Sequence, residues 1–122
     1  MNMTTKMRQV GGVTIVDISG RIVLGEESAA LRNIVGELLS KGQKQILLDL
    51  GGVDYIDSAG LGALVGGFAS VQRQGGELKL SNLPSKVVDV MQMTKLYTIF
   101  DIVSDEAAGL KSFAQSASAA KV

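Results

Sequence analysis

The chain has 122 residues, enough for one domain with its own core, and carries 46% hydrophobic and 20% charged residues with a formal net charge of zero. With no Cys and no His it lacks disulfides, thiolate chemistry and the imidazole bases of Ser-His-Asp, Cys-His and zincin sites. No dense Lys/Arg run points to nucleic acid, MNMTTKMRQV lacks the apolar core of a signal peptide, and the longest stretch without a polar side chain, Ala59 to Ala69, is too short to cross a bilayer, so the expectation is a cytoplasmic domain without direct membrane insertion.

Lys6 to Val10 and Val13 to Ser19 read as two β-runs joined at Gly11-Gly12, a hairpin signal. Gly20 to Val23 continues as a short strand or extended turn. Glu27 to Lys41 is a helix, with Leu31, Ile34, Val35, Leu38 and Leu39 forming an i, i+3, i+4, i+7, i+8 stripe. Gln45 to Leu50, QILLDL, is a continuous apolar strand of the kind covered on both faces, and Gly51-Gly52 is expected to end it. A loop over Val53 to Asp57 then leads into a second helix from Ser58 to Gln74, striped by Leu61, Leu64, Val65, Phe68 and Val71. Glu77 to Ser81 is a strand, and Pro84 opens a third helix over Ser85 to Met93. Phe100 to Val103 is the last strand. Ser104, Asp105 and Glu106 start a final helix anchored by Leu110 and Phe113, and QSASAAKV is expected to fray. Strands alternating with helices predict an α/β single-domain sandwich with a mixed β-sheet and about four helices.

The informative stretch is VDYIDSAGLGALVGGF, Val53 to Phe68. Four glycines, Gly60, Gly62, Gly66 and Gly67, fall in a predicted helix, where together they cost roughly 3–4 kcal/mol relative to Ala. Such a set implies close backbone approach, either to the neighbouring strand or to a partner. Gly60, beside Ser58 in the first turn, is read as less well explained by packing on the sheet. Ser58 stands where the first free backbone N–H groups of the helix point outward, which suits a phosphoryl group. The bland reading is that Asp57 or Ser58 simply caps the helix. As a hydrolytic nucleophile Ser58 would need a lysine or carboxylate base, and no arrangement suggests one. The chain is therefore read as a non-enzyme, with no cofactor and no metal.

DSAGLGAL, following LLDLGGVDYI, resembles the signature of the STAS domain family. VTIVDISGRI, LRNIVGELLSKG, GELKLSNLPSKVVDVMQMTKL and FDIVSDEAAGL fall in the family's order, so the resemblance spans nearly the whole chain. It implies a STAS domain over residues 1–115, with 116–122 as a tail. In stand-alone bacterial members the serine matching Ser58 is phosphorylated by an anti-sigma factor, a serine kinase with a histidine-kinase-like ATPase fold. The unphosphorylated antagonist sequesters that kinase and frees the sigma factor; a serine phosphatase resets the switch. The resemblance implies a docking surface of Asp57, Ser58, Ala59, Gly60, Leu61 and Gly62, with Leu24 and Glu26 beside it. The sequence departs from the pattern at GRIVLGEE, where Val23 and Leu24 replace a family aspartate and Glu26 or Glu27 is the nearest acid.

Two other functions compete. One is a non-phosphorylated STAS scaffold or regulatory subunit of a transport or signalling complex. The other is a small-ligand sensor using a cleft near residues 50–57. A phosphoaspartate receiver is disfavoured because Asp17 stands alone, without the acidic pair such a site needs.

Overall fold

Short β-branched runs and amphipathic stretches alternate along the chain as expected. The elements are β1 (Met3–Val10), β2 (Val13–Ile22), α1 (Glu26–Ser40), β3 (Gln45–Ile56), α2 (Ser58–Arg73), β4 (Glu77–Ser81), α3 (Ser85–Met93), a 3-10 turn (Leu96–Thr98), β5 (Asp101–Val103) and α4 (Glu106–Ala120). The structure is a computed structural model that describes residues 2–120, with side chains described as far as Gln115.

The strands form one sheet in the order β1-β2-β3-β4-β5. β1 and β2 pair antiparallel across the Gly11-Gly12 turn, and the remaining neighbours pair parallel. Connection length dictates this: two residues can only reverse the chain, whereas a helix between strands returns it in the same direction.

Helices cover both faces of the sheet. Val16, Ile18 and Ile22 of β2, Ile46, Leu48 and Leu50 of β3, and Leu78 and Leu80 of β4 pack into one buried cluster with residues of α1, α2 and α3. Phe68 meets Phe100 edge to face in this layer, at 5.5 Å between centroids. On the opposite face Val13, Ile15 and Leu47 pack under Phe113 of α4. QILLDL is apolar without alternation because Ile46 and Leu48 serve one layer and Leu47 the other. Two polar clusters fix α4. Arg8 pairs with Asp17 at 2.8 Å and with Glu106 at 2.6 Å. Lys79, only 2% exposed, pairs with Asp101 at 2.8 Å, hydrogen-bonds Ser112 Oγ and lies over the Phe113 ring. The engagement of Asp17 by Arg8 also removes it as a receiver-type acid.

The structure corrects the sequence reading in two strands. Gly20 to Ile22 belongs to β2 itself, not to a separate strand. Gly51-Gly52 does not end β3, which runs on to Ile56, so residues 53–56 are strand rather than loop. The β2–β3 register slips twice, between Asp17 and Ser19 and between Gly20 and Arg21, each time with an extra residue on β3. At Gly52 the two strands come so close that a Cβ would overlap the Ser19 side chain. The glycines therefore admit bulges and a close strand pair. Tyr55 lies on β3 with the Arg21 guanidinium 5.0 Å over its ring. α4 is helical to Ala120; residues 121 and 122 of the expected tail lie outside the described residues.

Candidate functional site

The two turns that leave β2 and β3 in parallel are stitched together at one end of the sheet. The Asp57 N–H donates to the Ile22 carbonyl at 3.2 Å. The Asp57 carboxylate then spans both turns, accepting from the Gly60 N–H at 2.8 Å and from the Leu24 N–H at 3.0 Å. These two backbone donors hold its carboxyl below the usual carboxylate range, the Gly60 bond contributing most.

Asp57 is thus the N-cap of α2, and Ser58 is the first helical residue. The choice between the two is settled by backbone conformation: Asp57 is extended, as an N-cap must be, at φ −101° and ψ −176°. Ser58 is exposed and is not used as the cap.

The four glycines separate into two kinds. A Cβ at Gly60 would overlap the Ile22 carbonyl oxygen and fall 2.8 Å from Ile56 Cγ1. Gly60 is buried, so its reading as an open partner contact, poorly explained by sheet packing, is corrected: the first turn of α2 sits directly on the end of β2, where only hydrogen fits. Gly67 faces Val35 of α1, with a Cβ there meeting Val35 Cγ2 at 3.3 Å. Gly62 and Gly66 are exposed. A Cβ at Gly66 would meet nothing within 4 Å, and one at Gly62 only the Arg32 guanidinium at 3.9 Å.

The remaining candidates fall as follows. Ala59 is half-buried, and Leu61 packs partly against the main core. Leu24 is 77% exposed despite its size, and the bond from its N–H to Asp57 fixes its backbone beside Ser58. Glu26 is exposed in the first turn of α1. Glu27, the other acid considered near the missing family aspartate, is buried and accepts from the Asn2 N–H at 2.8 Å, which holds its carboxyl low; it serves the fold. Asp49 is engaged within the sheet end, accepting from the Gly51 N–H and Asn82 Nδ2 at 2.9 and 2.8 Å. A cavity of about 440 Å³ lies among α3, the 3-10 turn and β5, lined by Leu83, Met91, Tyr97 and Ile102, with none of residues 50–57 in its lining. The sequence reading missed Arg32, whose place beside Gly62 depends on how α1 packs on α2. Among the described residues no group of three or more acids could hold a metal, and no helix is long and apolar enough to cross a membrane.

This arrangement presents one free hydroxyl at a helix start, held rigidly beneath and ringed by small or exposed residues. Comparison with known proteins bears on the family. The STAS domain model matches residues 4–109. The anti-sigma-B factor antagonist of Bacillus subtilis (strain 168) is 33% identical over 111 residues, covering 91% of this chain and 100% of its own. A crystal structure from Thermotoga maritima, of a protein provisionally designated an anti-sigma factor antagonist, superposes with a TM-score of 0.80 at 26% identity over 88% of this chain and 92% of that one. The Bacillus cell fate determinant SpoIIAA in its phosphorylated form shares the fold, with a TM-score of 0.67 at 17% identity over 86% of this chain and 96% of its own. Motif order, a mixed five-stranded sheet with four helices, and these matches over nearly the whole length lead to one assignment: the chain belongs to the STAS domain family.

Proposed function

We propose that this protein is an anti-sigma factor antagonist, a non-enzymatic module of the cytoplasm switched by phosphorylation of Ser58. In its unphosphorylated form it docks on an anti-sigma factor, a serine kinase of histidine-kinase-like ATPase fold, and so frees a sigma factor. Phosphorylation breaks the complex, and a serine phosphatase restores it. The observation that carries this reading is the division of labour at the start of α2: Asp57 caps the helix, leaving the exposed Ser58 hydroxyl free for modification.

The surface offered to the partner is Leu24, Glu26, Asp57, Ser58, Ala59 and Gly62, with Leu61 half-buried at its edge. Leu24 supplies apolar contact area and the exposed backbone near Gly62 allows close approach. A phosphate adds about −1.5 to −2 charges to a surface that already carries Asp57 and Glu26. The helix end returns only about 0.3–1 kcal/mol of local stabilisation, so the fold persists. At the interface the same charge must be desolvated or repelled. A penalty of about 2.7 kcal/mol is a hundredfold in affinity, enough to reverse partner exchange.

The test is incubation with the cognate anti-sigma factor and ATP, followed by mass spectrometry. One phosphate on Ser58, absent in Ser58→Ala, is expected. If Ser58 remains unmodified, the phosphorylation switch fails and a non-phosphorylated scaffold role replaces it.

A further inference from the structure

Arg32 of α1 lies across α2 with its guanidinium beside Gly62, 3.9 Å from where a Cβ would stand. Gly62 follows Ser58 by four residues, so the two occupy one face of α2, with side-chain positions about 5–6 Å apart. A side chain at position 62 would lean toward the N-terminus of α2, over the turn that contains Ser58. Glycine leaves that path empty. Arg32 takes no part in the ion pairs found among the described residues, which belong to Arg8 and Lys79. An exposed cation thus stands beside a residue one helical turn from the modifiable hydroxyl, and that residue carries no side chain.

We propose that Arg32 is the internal counter-ion of phosphorylated Ser58. The guanidinium moves over Gly62 and forms a charge-assisted pair with the phosphate, joining α1 to the start of α2. The planar fork of arginine suits phosphate oxygens, and its long side chain with the added length of the phosphoseryl group closes the gap. Before phosphorylation Arg32 is free to meet a carboxylate of the docked protein; afterwards it is occupied. Phosphorylation then acts twice on the same surface, by adding negative charge and by withdrawing a positive one. Gly62 is the gap that lets the two groups meet.

This inference rests on the reading of Ser58 as the phosphorylated residue, and its test is made independent of the kinase. Phosphoserine is inserted at position 58 during translation, and the full-length chain is titrated by ³¹P NMR. The neighbouring carboxylates Asp57 and Glu26 act on the phosphate alike in every variant, as does the end of α2. Arg32→Gln is expected to raise the second pKa of the phosphate by about half a unit or more, since a cation in contact favours the dianion. Arg32→Lys should restore part of the difference. Arg73→Gln, at the far end of α2, should leave the pKa unchanged and controls for general loss of positive charge. Equal pKa values in the Arg32→Gln chain and the parent would overturn the proposal. So would an increase in Arg73→Gln matching that in Arg32→Gln. Failure here counts against Arg32 alone, whereas failure of the kinase to modify Ser58 counts against the switch itself.

Discussion

Two glycines of α2 have opposite roles, and substitution separates them. Gly60→Ala places a methyl group against the Ile22 carbonyl, where neither backbone can easily retreat. We expect it to destabilise the fold by about 1–3 kcal/mol or more, read as a lower urea midpoint. Gly66→Ala enters open space in a helix interior and should stabilise by about 0.4–1 kcal/mol. Equal effects at both positions would contradict the packing described here. Asp57 yields a pH prediction. Its native carboxyl titrates below the ordinary range, so its stabilising contribution is complete above the unfolded-state pKa and is lost as pH falls through the lowered native value. Asp57→Ala should therefore reduce stability at neutral pH, and the gap from the parent should narrow in acid, measured by urea titration at a series of pH values. A gap that widens in acid would contradict the assigned hydrogen bonds.

At the scale of elements, α4 is the sole helix on its face of the sheet among the described residues, and Phe113 is its main apolar anchor. Phe113→Ala should cost about 3–5 kcal/mol, as for other fully buried aromatics. The Lys79 cluster should respond asymmetrically. Asp101→Ala leaves a buried ammonium with weaker compensation, whereas Lys79→Met removes that charge and leaves Asp101 in water, so Asp101→Ala should lower the unfolding midpoint more. Most of this architecture was legible from the chain alone. The stripe in α1 (Leu31, Val35, Leu38), the doubly covered QILLDL strand and the Phe113 anchor all followed from periodicity. The end of β3 did not, because Gly51-Gly52 looks the same in sequence whether it stops a strand or permits a bulge against Ser19. The start of α2 was legible in position but not in detail. Asp57 and Ser58 are both good caps, and only the backbone conformation separates them. Gly60 and Gly62 look equivalent until β2 is placed under one and Arg32 beside the other.

For the whole molecule, the turns after β2 and β3 are joined through Asp57, which ties the backbone of Leu24 to the start of α2. Leu24 contributes little to the core at 77% exposure, so Leu24→Ala should change stability by less than about 0.5 kcal/mol while weakening the partner complex. Unchanged binding, measured by calorimetric titration, would place the interface elsewhere. The fold itself should be indifferent to the switch, because the phosphate sits at a helix end that tolerates negative charge. Phosphorylation of Ser58 is proposed to govern association without altering the fold. This is tested most directly by titrating the cognate anti-sigma factor with the unmodified chain and with the chain carrying phosphoserine at position 58. The account predicts closely similar circular dichroism spectra for the two forms and an affinity at least about a hundredfold weaker for the phosphorylated one. Equal affinities, or a lost affinity explained by an unfolded phosphorylated chain, would contradict it.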